Sequence, residues 1–243
     1  MESNLVGHVF QYAGIIIEAT LVLYLVWSRQ WKAQGGVGLY LASLLAAQMT
    51  RAYVLHQFGQ VDYSYYYVYW STDLPLVISA FLIVCYFFRR ACRNEEKMWR
   101  FVRLLLFFIF VLVVGISGLT FSHNYGKLIT YFIVEFNQNL YFTCLVLNTL
   151  LYLLLLQIES LDEQLGLLVC GVGIQFAGPT ATLALLHLTS GEPFAQLLIT
   201  FVMPLCTFGM LLIWAYALVR VKAIKVARRE QPVLAEVPVE SNF

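Results

Sequence analysis

Four ionisable side chains, Glu18, Arg51, Asp73 and Glu135, stand inside long apolar runs of this 243-residue chain. In hydrocarbon such groups are costly unless they meet a partner or water, so each one marks a site where the chain must do something with charge. Three of them share a level. At about 1.5 Å of rise per residue, Arg51 and Asp73 lie about 10 Å from the helix ends that carry little positive charge, and Glu135 about 9 Å. A guanidinium grips a carboxylate through two parallel N–H···O bonds, so Arg51 is expected to pair with Asp73, with Glu135 or with both. An ion pair of that kind can simply fix helix register. The surrounding polar groups exceed that need: Gln48 is one turn from Arg51, Asn137, Gln138 and Asn139 adjoin Glu135, and Gln175 and Thr180 follow later in the chain.

The stretch Tyr63 to Pro75 brings Asp73 into its helix through a collar of rings, Tyr63, Tyr65, Tyr66, Tyr67, Tyr69 and Trp70. An aromatic belt at a membrane interface explains several of them. So many consecutive rings also turn some inward, where they can wall a pocket. The ligand-binding set read from these patterns is Arg51, Asp73, Glu135, Gln48, Gln138, Asn139, Tyr69 and Trp70. Glu18 lies deeper, near the middle of its helix, with Gln48 or Gln175 as neighbours. It is a hydrogen-bonded buried acid or a proton relay.

All four histidines, His8, His56, His123 and His187, fall at one set of helix ends. They anchor those ends at the interface, sense pH, or, for His56 and His187, ligate a metal or a haem. No two are spaced as ligands on one helix face. The five cysteines form no CxxC pair and read as small apolar side chains, with neither a disulfide framework nor a zinc site.

These residues must be positioned by helices. With 60% hydrophobic and only 12% charged residues, the chain lacks the charge to coat a soluble globule of its size. A net charge of +1 gives no footprint for nucleic acid. A membrane crossing takes about 20 apolar residues, and runs of that kind predict helices over 6–28, 36–58, 66–88, 100–122, 129–156, 165–189 and 195–220. The fold class is therefore an all-α integral membrane protein, a seven-transmembrane-helix bundle over residues 1–220 with the bilayer as its first partner. The start Met1-Glu2-Ser3-Asn4 has no basic region, and the first helix is expected to be retained.

Lys and Arg counts set the orientation. Arg29 and Lys32, the group from Arg89 to Arg103, and the group from Arg220 to Arg229 mark one side, whereas the opposite connections hold little beyond Lys127. The N-terminus is outside and the C-terminus cytoplasmic. The acidic connection Glu159 to Glu163 is discordant but permitted, since acids weigh little in the rule. Residues 221–243 read as a basic continuation of the seventh helix that ends in disorder. Gly166, Gly171, Gly173 and Gly178 allow a neighbouring backbone to approach the sixth helix. Pro75, Pro179 and Pro204 each free a carbonyl one turn earlier and are expected to kink their helices.

Trp70 and Pro75 stand five apart in the third helix. This resembles the third helix of microbial rhodopsins, as do seven helices with the N-terminus outside. Retinal requires a Schiff-base lysine in the seventh helix, and Leu197 to Arg220 contains none, so retinal is excluded as a cofactor. No Asp-Arg-Tyr closes the third helix, as it does in eukaryotic receptors. The first 90 or so residues, with Arg51 late in the second helix and Tyr67-Val-Tyr-Trp70 opening the third, resemble a group of uncharacterised bacterial seven-helix membrane proteins. That resemblance implies a bacterial cytoplasmic (inner) membrane, and no activity.

No His-Glu-x-x-His or Gly-x-Ser-x-Gly motif occurs, and no soluble catalytic domain stands outside the helices. The expected function is a non-enzymatic, receptor-like sensor with an outward-facing pocket for a small polar or anionic ligand, signalling to a cytoplasmic or membrane protein partner. The alternatives are a proton-coupled transporter using Glu18 and Asp73, and an accessory subunit of a membrane complex, with or without haem.

Overall fold

Among the described residues, the computed structural model has seven α-helices and no strand. The backbone is described for residues 2–28, 34–58, 63–93, 95–121, 128–157, 162–189 and 193–230, and side chains for 12–28, 34–57, 68, 71–93, 95–119, 132–157, 162–178, 180–181 and 202–220. The helices are α1 (Glu2–Trp27), α2 (Gly35–Phe58), α3 (Tyr63–Ala91), α4 (Glu96–Phe121), α5 (Leu128–Gln157), α6 (Glu163–Thr189) and α7 (Pro193–Glu230). Long apolar runs dictate them, so each end falls within about four residues of expectation apart from one. That exception is α7, which extends ten residues past the apolar span ending at Arg220, through the segment read as its basic continuation. Residues 231–243, where disorder is expected, lie outside the described residues.

Among the described residues, four stretches are long and apolar enough to cross a membrane: Ser71–Ala91, Glu96–Leu119, Phe132–Gln157 and Val202–Arg220. Tyr12–Trp27 and Glu163–Gly178 are shorter apolar helical stretches. The helix that carries Gln48 and Arg51, α2, is in neither group.

The packing order makes a closed ring. α1 touches α2 and α7, α2 packs on α3, α3 on α5, α5 on α6, and α6 on α7. The fourth helix stands outside this ring against α5, with a lesser contact on α3. Its apolar side chains Phe101, Leu104, Phe107, Phe108 and Leu119 are correspondingly exposed, whereas Leu106 and Val113 turn inward. A continuous core runs through the ring, with Leu25, Leu41, Val84, Leu140, Leu151, Phe176 and Trp214 fully buried.

In a bilayer, helices associate through close packing and interhelical hydrogen bonds, because lipid is as apolar as the side chains it surrounds. The α6–α7 seam uses both. Indole Nε1 of Trp214 donates to the Leu168 carbonyl at 3.0 Å, and its ring meets Tyr40 edge-on at 5.8 Å. A Cβ at Gly171 would lie 2.8 Å from that indole, and one at Gly178 2.8 Å from Cys206 Sγ. Two glycines a heptad apart thus admit α7. The other pair divides: Gly173 faces Asn148 of α5, while Gly166 faces open space. The helices run unbroken through Pro75 and Pro204. All five cysteines are free thiols.

Candidate functional site

On α2, Arg51 reaches across to α3. Its Nε donates to Thr72 Oγ1 at 2.9 Å and its Nη2 to Asp73 Oδ1 at 3.0 Å. Thr72 can accept because its own hydroxyl donates back to the Val68 carbonyl at 2.8 Å. The second carboxylate oxygen of Asp73 accepts from Asn137 Nδ2 of α5 at 2.8 Å. Three helices are thereby tied at one level. The Arg51 and Asp73 side chains retain 20% and 15% exposure, so the pair is shielded without being sealed. Asn137 is buried, and its carbonyl oxygen has no partner among the described residues.

One turn along α2 from Arg51, Gln48 points the other way. Its Nε2 donates to Glu18 Oε1 of α1 at 2.7 Å. Glu18 is fully buried, and Oε2 has no partner among the described residues. Of the two neighbours expected for Glu18, Gln48 is the one in contact, and the buried oxygen of Gln175 has no partner among the described residues. Below this level Ser43 of α2 donates to Ser79 of α3 at 2.8 Å.

Arg51 resolves its choice of acid in favour of Asp73, and Glu135 makes no ion pair or hydrogen bond among the described residues. The reason is rotation about α5. Residues 135 and 139 are one turn apart and share a face, and Asn139 Nδ2 donates to Ser117 Oγ of α4 at 3.3 Å. Glu135 therefore lies on the α4 side of α5, while Asn137, two residues on, faces α3. The three charges are level in depth, yet only two of them converge. Gln138 is part-buried and makes no hydrogen bond among the described residues. Thr180 Oγ1 donates to the Phe176 carbonyl at 2.8 Å, within its own helix.

His56 is exposed. The side chains of Tyr69, Trp70 and His187 lie outside the described residues, as do those of His8 and His123. No group of three metal-ligating side chains occurs among the described residues.

A second polar cluster lies at the opposite ends of the helices, where sequence reasoning placed no site. Arg90, closing α3, donates from Nε to Asp162 Oδ2 at 2.9 Å and from Nη2 to Asp162 Oδ1 at 3.1 Å. The same Nη2 reaches Gln164 Oε1 at 3.0 Å. Asp162 also caps α6, with Oδ1 accepting from the Leu165 amide at 3.2 Å. Gln164 Nε2 reaches the Ala217 carbonyl of α7 at 3.5 Å. The signal was present as the acidic connection that disagreed with its basic surroundings: Asp162 serves as helix cap and counter-charge at once.

The fold and site define an all-helical protein with apolar helices fit to cross a membrane and a polar cluster joining three of its helices. Comparison of the chain with protein-family models, with curated proteins and with solved structures finds no match in any of the three.

Proposed function

We propose that the chain is a seven-helix integral protein of a bacterial cytoplasmic membrane, N-terminus outside and C-terminus inside. In this reading it acts as a non-enzymatic sensor that binds a small polar solute in its outer half. The observation that carries this reading is the Arg51–Asp73–Asn137 junction, a part-exposed guanidinium–carboxylate pair held between α2, α3 and α5. A solute competing for either member loosens a contact between helices, and differential affinity for two helix arrangements is the general basis of signalling. The Arg90–Asp162–Gln164 cluster joins the far ends of α3, α6 and α7, and so provides the element through which movement of α3 reaches a cytoplasmic partner.

Thermal unfolding of the detergent-solubilised protein against a panel of small polar and anionic solutes tests the proposal. A solute that stabilises the wild type and not Arg51→Leu is the expected result. A folded Arg51→Leu with an unchanged response to every solute would remove Arg51 from any binding role.

A second reading, a proton-coupled carrier, is favoured by Glu18, whose buried second oxygen has no partner among the described residues. Proton flux in liposomes that disappears in Glu18→Gln would select it over the sensor.

A further inference from the structure

At the ends of α5, α6 and α7 that positive charge marks as cytoplasmic lies a groove of about 420 Å³, within the range of small-molecule sites at about 300–1,000 Å³. Its rim is charged and its floor apolar. Glu163 and Arg220 stand at the rim with side chains 73% and 48% exposed, and their charged atoms are 3.9 Å apart, beyond hydrogen-bonding distance. Leu155 and Leu167 line the floor below them, and Gly166 leaves it open, since a Cβ there would meet no atom within 4 Å. Cys170, seven residues and about 10 Å along α6 from Glu163, continues the groove away from the rim.

We propose that this groove is a binding site for a zwitterionic aminophospholipid of the adjoining leaflet, with its phosphate on Arg220, its ammonium on Glu163 and an acyl chain along Gly166 toward Cys170. The rim offers one acid and one base that hold each other only loosely, which complements a headgroup carrying one charge of each sign. Asp162, the other acid on the groove, is engaged by Arg90. An anionic headgroup would satisfy Arg220 but leave Glu163 facing negative charge. The apolar floor begins where the Val202–Arg220 stretch ends, so headgroup and acyl chain fall on matching surfaces. Gly166 in this role also accounts for a glycine that packs against no neighbouring helix.

Native mass spectrometry of the full chain in detergent, with phosphatidylethanolamine and phosphatidylglycerol added in equal amounts, tests the site. The wild type should retain phosphatidylethanolamine in preference. Gly166→Leu and Cys170→Trp, each filling the groove, should reduce that adduct about tenfold, the loss expected when the acyl contacts along the floor go and the headgroup contacts stay. Glu163→Gln, at an exposed side chain, should shift the preference toward phosphatidylglycerol. Far-ultraviolet circular dichroism checks that each variant is folded. Equal adducts in wild type and both filled-groove variants would overturn the site. A wild-type preference for phosphatidylglycerol would overturn the headgroup assignment. Neither result bears on the Arg51 reading.

Discussion

Removing Arg51 tests whether the α2–α3–α5 junction is one energetic unit. In Arg51→Leu, Asp73 keeps its bond to Asn137 at 2.8 Å and loses the guanidinium at 3.0 Å. Stripping one partner from a buried ion pair typically costs about 3–5 kcal/mol, whereas an exposed pair is worth about 0–1 kcal/mol. With side chains 20% and 15% exposed, the junction lies nearer the buried limit, and a loss of about 2–3 kcal/mol is expected after discounting for solvent screening. Asp73→Leu should cost at least as much, because Arg51 keeps Thr72 at 2.9 Å but the buried Asn137 amide also loses its acceptor. The double variant removes both charges and leaves apolar side chains in their place, so its loss should fall short of the sum by about 2 kcal/mol. Unfolding by sodium dodecyl sulfate in mixed micelles, followed by circular dichroism, measures all four corners of the cycle. Losses that add to within about 0.5 kcal/mol would mean that the two side chains do not act on each other, and the junction would lose its standing as a site.

Gly171→Ala should destabilise by about 1–3 kcal/mol and perturb tryptophan fluorescence, because its Cβ would press on the Trp214 indole at 2.8 Å. Gly166→Ala, facing open space, is the control and should change neither. Arg90→Ala should cost about 1–2 kcal/mol, since its bonds to Asp162 and Gln164 are charge-assisted but part-exposed. Cys92, buried two residues beyond Arg90, should become reactive toward maleimide in that variant, and an unreactive thiol would show that α3 stays docked without the bond. Glu18→Leu should cost about 1–3 kcal/mol by stranding the Gln48 amide, whereas Glu18→Gln, which can still accept that bond, should stay within about 1 kcal/mol of wild type by the same unfolding assay.

Helix positions were legible because membrane-length apolar runs carry their own boundaries, and the level of each polar residue followed from counting rise along them. That count put Arg51 level with both Asp73 and Glu135 and Glu18 near Gln48 or Gln175, and of these Asp73 and Gln48 are the ones in contact. It failed to separate Glu135 from Asn137, since depth is one coordinate and rotation about the axis is another. The rotational signal was present. Asn137 belongs with Leu140, Cys144, Leu147 and Leu151 on the buried stripe of α5, whereas Glu135 falls in phase with Asn139 and the exposed Phe142 and Val146. The Arg90–Asp162 contact joins residues 72 positions apart and leaves no periodic trace. Only the charge of the connection, out of keeping with its neighbours, marked it.

The second helix holds its polar side chains in contacts with both of its neighbours: Gln48 with α1, Ser43 and Arg51 with α3. It is also not among the stretches apolar enough to cross a bilayer by composition. During synthesis such a segment gains little by entering lipid alone, where a lone arginine is penalised by up to about 2.5–3.5 kcal/mol on insertion scales, the figure for the helix centre. Its partner carboxylate arrives only with α3, some twenty residues later in the chain. In the seven-span reading proposed above, the first three helices would partition into the membrane as a cooperative unit, and the bonds that build the junction would set the order in which the protein is made.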